Sequence, residues 1–299
     1  MYLPALFFAF LAPALFGIAN VLDNFLVGRL FKNIPALIFY SELLNLFFIA
    51  IVWILSPPDL SSWAMLPFFI ATGACDVLYL YPYFKALQTD DTAVVSSLFA
   101  LGKIFVPILA FFVVGETLTF SQYAGFMLVI LSSVFLTLHL KKKQWRIRPA
   151  FFYMAIASLL ISLEVVLYKY LFTNVSWSTG FIDSTLAAFL LSMLMLFIPP
   201  LRQNIIAGYT TFRRRFPLIA FQEFLTISAT ASFTYATSLL PATVISGVGE
   251  SQSFMVLLYA VFFAPFFPKV FKEKIDGRSV RKKIVLFALT IIGVLLILN

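Results

Sequence analysis

The 299-residue sequence is 62% hydrophobic and 18% aromatic but only 11% charged, with a formal net charge of +8. Soluble domains carry roughly a quarter charged residues, and helices that are apolar all the way round need hydrocarbon or a very large core, so a water-soluble enzyme or binding module is excluded in favour of lipid. The positive charge gathers in short loops and not on a polar face, which excludes nucleic acid as a partner and fits contact with the anionic headgroups of a lipid bilayer.

A helix needs about 20 mostly apolar residues to cross a hydrocarbon layer of about 30 Å. In chain order such segments lie at 3–27, 35–55, 64–87, 92–114, 120–140, 150–172, 181–200, 216–239, 242–266 and 284–298, ten in all. The opening MYLPALFFAF has neither the basic region nor the cleavage site of a signal peptide, so the first segment is expected to stay in the membrane. Four loops hold 18 of the 21 Lys and Arg: Arg29 with Lys32; Lys141, Lys142, Lys143, Arg146 and Arg148; Arg202 with Arg213, Arg214 and Arg215; and the run from Lys269 to Lys283. Even numbers of segments separate these loops, so all four fall on one side, the cytoplasmic one. Both termini and the loop Pro57 to Ser62 are then expected outside.

The fourth and ninth segments repeat one another. TAVVSSLFALGKIFVPILAFF from Thr92 aligns with PATVISGVGESQSFMVLLYAVFF from Pro241, pairing Ala93 with Ala242, Val95 with Val244, Ser97 with Ser246 and Phe105 with Phe254. Five segments per half is an odd number, so the second copy is expected to be inverted in the membrane. Inverted repeats interrupted by Gly and Pro are a pattern of alternating-access transporters, and Pro13, Pro82, Pro107 and Pro265 supply such interruptions. The expected fold is all-α: ten transmembrane helices as two inverted five-helix repeats around a central cavity. The first repeat covers residues 1–140, a basic cytoplasmic linker 141–149, and the second repeat 150–299.

Ionisable groups in hydrocarbon cost about 2.5 to 3.5 kcal/mol on insertion scales, so they normally face a cavity or a partner. Asp76, Lys103 and Glu250 fall near mid-membrane; Glu42 and Glu223 fall in the cytoplasmic half and Glu164 toward the outer half. Helix spacing puts Thr72, Asp76, Tyr79 and Tyr83 on one face, Glu223, Thr226, Thr230, Thr234 and Thr237 on another, and Thr243, Ser246, Glu250 and Ser253 on a third. Such faces suit water-filled cavities, or equally helix-to-helix hydroxyl contacts. Lys103 is a counter-ion to Asp76 or Glu250, or else a direct contact for a solute. Asp23 and Lys169 are expected to snorkel to opposite interfaces, Asp183 to favour the dipole in the first turn of its helix, and His139 to lie among headgroups. Tyr79, Tyr83, Tyr168 and Tyr235 adjoin polar faces, where an aromatic ring beside a carboxylate suits an ammonium group. The excess of acid inside favours cationic or zwitterionic solutes, or protons.

The stretch Tyr83 to Gly125 carries Ala86-Leu87, Ala93, Pro107, Gly115-Glu116, Leu118-Thr119, Gln122 and Gly125. It resembles the second half of an EamA domain in the drug/metabolite transporter superfamily. In the second half of the chain the counterpart is Tyr235-Ala236, Leu239-Leu240-Pro241-Ala242 and the run to Gly293, but Phe266-Phe267-Pro268 replaces the Gly-Glu turn. Phe16-Gly17 and Asn20 sit where the family has Trp-Gly and Asn, Asn24 stands where it has a Lys, and Lys169 keeps that Lys. The resemblance implies a ten-helix fold in a bacterial inner (plasma) membrane, with a central cavity for metabolites and Asn20 among its lining residues.

No serine with a partner His, no paired intramembrane aspartates and no His pair supplies a catalytic constellation, so an enzyme is not expected. Cys75 stands alone, which leaves no disulfide or zinc site, and no cofactor or metal is expected. The expectation is a secondary transporter of a small organic metabolite: an amino acid, an amine or another zwitterionic or cationic solute. Its solute site comprises Asn20, Asp76, Tyr79, Tyr83, Lys103, Glu164, Tyr168, Glu223, Tyr235 and Glu250, in a cavity lined by segments 1, 3, 4, 6, 8 and 9. Proton exchange at Glu250, Glu223 or Asp76, passive uniport or exchange, and a non-transporting sensor or scaffold are the alternatives for mechanism.

Overall fold

A computed structural model describes residues 2–31, 33–90, 92–137, 149–263, 285–286, 288–289, 291–293 and 295–297. Lys32, His139 and the basic loops 141–148 and 269–283 lie outside the described residues, as does the side chain of Lys103.

The described residues are helical, with no strand among them. In chain order the helices are α1 (Tyr2–Phe25), continued by a π-helical turn Leu26–Leu30, α2 (Ile34–Leu55), α3 (Leu66–Thr89), α4 (Thr92–Leu98), α5 (Ala100–Lys103), α6 (Val106–Val114), α7 (Phe120–Thr137), α8 (Pro149–Asn174), α9 (Trp177–Leu194), α10 (Pro199–Leu239), α11 (Ala242–Gly249) and α12 (Gln252–Phe263). Proline opens several of them: α2, α3, α6 and α10 each have Pro in the first turn, where the missing N–H leaves no bond unmade. Among the described residues, six stretches are long and apolar enough to cross a membrane, Leu3–Leu30, Ile34–Leu55, Trp63–Thr89, Pro149–Asn174, Trp177–Phe197 and Pro199–Leu239, with a shorter apolar helix at Phe120–Ser132. The fourth and ninth segments are absent from that set because each is broken: the fourth around Phe99 and Ile104–Phe105, the ninth at Glu250–Ser251.

One boundary differs from the sequence reading. The basic stretch Arg202 to Arg215 is not a loop but the first half of α10, a single helix of 41 residues. At 1.5 Å per residue it is about 60 Å long, about twice the hydrocarbon thickness, so only part of it spans. The stretch is helical because one face is buried on α2: the Tyr40 hydroxyl donates to the Ile205 carbonyl (3.0 Å), Tyr40 stacks on Phe212 at 4.3 Å, and Ile205 and Gly208 are buried. The four arginines occupy the exposed face. Pro217 lies inside α10, between this basic half and the apolar half.

The motif from Val114 to Gln122 folds as two helix caps placed back to back. Gly115, at φ 67°, takes the left-handed conformation, its N–H meeting the Phe111 carbonyl and that of Glu116 the Ala110 carbonyl, which closes α6 as left-handed caps do. Thr119 and Gln122 then start α7 with a reciprocal capping box: the Thr119 N–H donates to Gln122 Oε1 (3.0 Å) and the Gln122 N–H to Thr119 Oγ1 (3.3 Å).

Helix α3 packs on α8 and α9, α10 packs on α1 and α2, and α2 lies against α9. The broken segments flank this group, α5 and α6 against α8, α11 and α12 against α1. Glycines allow both close crossings: a β-carbon on Gly102 would collide with the Ser158 backbone of α8, and one on Gly17 would come within 3.0 Å of Met255 and Tyr259 of α12. Helix α7 meets the helical residues near the C-terminus, where Ser121 donates to the Leu296 carbonyl (3.3 Å).

Candidate functional site

A cavity of about 140 Å³ lies where α1, α2, α3, α8, α9 and α10 converge, reached also by Phe99, Gly249 and Gln252 at the breaks of the fourth and ninth segments. Seven of the residues singled out from sequence line it: Asn20, Asp76, Tyr79, Tyr83, Glu164, Tyr168 and Glu223. Asp23 and Glu42 join them, so five carboxyl groups face one small space. No basic side chain lines it among the described residues.

Hydrogen bonds fix the polar wall on the α1 side. The Tyr83 hydroxyl is shared between Asn20 Oδ1 (2.9 Å) and Asp23 Oδ2 (3.0 Å), and Asn20 Nδ2 donates to Ser96 Oγ (3.0 Å), tying α1 to α3 and α4. On the opposite wall the Ser41 hydroxyl donates to Glu223 Oε1 (2.5 Å) and Asn45 Nδ2 to Glu42 Oε2 (3.4 Å), joining α2 to α10. Asp76, Glu164 and Glu223 line the same cavity as Glu42 and lie within its electrostatic reach. Thr226, Thr230 and Thr234 line the wall of α10, and Thr230 and Thr234 bond the carbonyls four residues back, which leaves hydroxyl oxygens as acceptors. Tyr79, Tyr83, Tyr168, Phe16, Phe84, Phe99 and Phe233 supply the aromatic surface between these polar groups.

Several expectations change. Tyr235 points away from the cavity into an aromatic cluster, 5.0 Å from Phe8 and 5.4 Å from Trp177. Glu250 is buried at the break between α11 and α12 and does not line the cavity, although its neighbours Gly249 and Gln252 do; Thr243, Ser246 and Ser253 on the same face are buried outside it too. Lys169 does not snorkel: its ammonium caps α10, donating to the carbonyls of Thr237 (2.9 Å) and Leu240 (2.8 Å). Asp23 does not snorkel either, because the π-helical turn carries the first span on to Leu30 and leaves the carboxyl buried. Asp183 lies beyond the first turn of α9, which starts at Trp177 after its cap Ser176, and accepts from Ser61 at 3.5 Å.

Ser41, Glu42, Asn45, Thr185 and Gln222 are lining residues that the sequence reading left out of the site. The signal was present, since Ser41, Glu42 and Asn45 form a polar group within one turn of an apolar helix, as do Gln222, Glu223 and Thr226. Such clusters inside a span carry more information than their distance from its centre.

The sequence of residues 3–138 matches the EamA-like transporter family. Residues 3–138 belong to that family. The EamA match of residues 3–138, in the drug/metabolite transporter superfamily, together with six described helices long and apolar enough to span a bilayer, fits a multi-pass integral membrane protein. No curated protein matches the chain in sequence. A solved structure entitled "Crystal structure of protein" has a TM-score of 0.64 over 97% of this chain and 95% of its own, at 13% sequence identity, a likeness that extends the fold beyond the EamA domain to nearly the whole chain.

Proposed function

We propose that the chain is a secondary transporter for a small cationic or zwitterionic organic solute, an amine or amino acid, built from two inverted five-helix repeats over residues 1–140 and 150–299. The observation that carries the solute class is the acid-lined cavity: five carboxyl groups and, among the described lining residues, no base. Burying these carboxyls together is costly unless a cation or protons compensate them, and the aromatic rings beside them suit an ammonium group.

The packing supports the repeat. Counting five segments per half, first-to-eighth contact (α1 with α10) mirrors sixth-to-third (α8 with α3), and second-to-eighth (α2 with α10) mirrors seventh-to-third (α9 with α3). First-to-ninth (α1 with α12) likewise mirrors sixth-to-fourth (α8 with α5), and each half breaks its fourth helix. An odd number of spans per repeat inverts the second copy, and a cavity walled by both copies is the arrangement in which rocking one against the other exposes a site alternately. The positive charge of the loops supports a bacterial inner-membrane orientation with both termini outside.

Flux of labelled amines and amino acids into proteoliposomes tests this. Saturable uptake and counterflow of at least one such solute is the expected outcome, whereas binding without flux would make the chain a sensor. Proton exchange belongs to the same reading, with at least one of Glu223, Asp76 and Glu250 as carrier. An imposed pH gradient should then drive uptake, and at least one of Glu223→Gln, Asp76→Asn and Glu250→Gln should remove that drive. Flux indifferent to the gradient in the parent and all three variants would make the chain a uniporter or exchanger.

A further inference from the structure

Two of the five cavity carboxyl groups, Asp23 and Asp76, mark the two ends of the cavity face of one helix, and Glu223 of α10 lies within electrostatic reach of both. On the cavity face of α3, Asp76 and Tyr83 are seven residues apart, about 10 Å at 1.5 Å per residue, with Tyr79 one turn from Asp76. Asp76 lines the cavity together with Glu42 and Glu164, within electrostatic reach of both; Tyr83 holds Asp23.

Each end also has an acceptor without a donor. Asp23 Oδ1, beside Tyr83, is buried with no hydrogen-bond partner, and so is Asn45 Oδ1, whose own amide nitrogen donates to Glu42. Both side chains are more than nine-tenths buried, and both line the cavity. A buried acceptor left unmatched destabilises the fold. What is missing at both ends is a donor, and a single ammonium ion cannot reach across about 10 Å. Between the ends, Tyr79 and Leu80 of α3 offer aromatic and apolar surface, which suits methylene groups.

We propose that the preferred solute is an organic dication with its amino groups at the two ends of a short apolar chain, a linear aliphatic diamine, bound between the Asp23–Tyr83 pair and the Asp76–Glu42 group. This rests on the reading of the chain as a carrier of cationic or zwitterionic solutes. Size agrees: the cavity of about 140 Å³ is comparable to the roughly 150 Å³ engineered cavity that admits benzene, and putrescine has as many heavy atoms as benzene.

The experiment uses the purified full chain in proteoliposomes, with labelled putrescine competed by unlabelled putrescine, butylamine and leucine, alongside thermal stabilisation by each in detergent. Putrescine should compete at least about tenfold better than butylamine, a difference of about 1.4 kcal/mol, and should raise the melting temperature more at equal concentration. Asp23→Asn should lower apparent affinity for putrescine about tenfold more than for butylamine, because a monoamine keeps the Asp76–Glu42 end. Equal competition by butylamine and putrescine in the parent overturns the proposal, whatever the variant does. Transport of butylamine or leucine without putrescine overturns the diamine assignment and leaves the carrier reading standing; no flux and no stabilisation by any of the three removes the carrier reading as well.

Discussion

Under the proposed inverted repeat, the turn that ends α3 and the turn that ends α10 occupy corresponding places, yet different chemistry holds them. After α3, the amide of Asn24 in α1 donates one bond to the Leu87 carbonyl at 3.2 Å. After α10, the ammonium of Lys169 in α8 donates two, to Thr237 and Leu240. The next helix, α11, is capped from the other half, since both carboxylate oxygens of Glu116 accept its first N–H groups, those of Ala242 (2.8 Å) and Thr243 (2.9 Å). Cation at a helix C-terminus and anion at the following N-terminus both match the helix dipoles. One turn is thus clamped by opposite charges, while the Asn24 amide gives the other a neutral contact. In an inverted repeat these turns face opposite sides of the membrane, so the two sides would resist opening unequally.

The largest effect expected on this pairing of halves comes from the crossing of α5 and α8. Overpacking in a tight site typically costs about 1–3 kcal/mol, and at Gly102 the obstacle is the Ser158 backbone itself, which cannot turn aside as a side chain can. Gly102→Leu should therefore lose the monodisperse peak in size-exclusion chromatography. Gly28→Leu is the control, because nothing lies within 4 Å of a β-carbon there. Equal behaviour of the two variants would mean that the close crossing does not hold the halves together.

A smaller effect is expected at the clamp. Glu116→Ala removes the acceptor for two N–H groups, and loss of an N-terminal cap costs about 0.5–2 kcal/mol; Lys169→Met removes the donor at α10. Each should lower the melting temperature by a few degrees. The double variant should fall short of the sum, since neighbouring groups on one turn couple. Strict additivity would show two independent caps and no clamp.

Much of this was legible in the sequence. Tyr79 and Tyr83 share a face with Asp76 because helical spacing dictates it, and all three line the cavity. The Gly-Glu-x-Leu-Thr motif marked a turn, but its role in capping α11 was not readable, because a hydrogen bond over more than 120 residues leaves no local pattern. Asp23 and Lys169 were misread for one reason: depth was judged from the ends of apolar runs, whereas α1 continues into a π-helical turn and Lys169 finds carbonyl partners inside the protein. Arg202 to Arg215 were misread because charge marks the side of a membrane without deciding between loop and helix. Burial of Ile205 and Gly208 on α2 decides it.

The smallest effect expects the difference between the halves to be partly reversible. Asn24→Lys gives the first half the side chain that Lys169 supplies in the second. The present amide already donates to the Leu87 carbonyl, so a longer stem could bring three donors to the carbonyls at the end of α3. A cation near a helix C-terminus contributes about 0.3–1 kcal/mol. Against this stand the loss of a formed hydrogen bond and the entropy of fixing a lysine, together about as large. The expected result is a melting temperature equal to or slightly above the parent's, with the effect of Glu116→Ala unchanged in the Asn24→Lys background, since that clamp lies on the other turn. A fall as large as that from Lys169→Met would show that the end of α3 has no room for the cation. The two turns would then differ in shape as well as in chemistry.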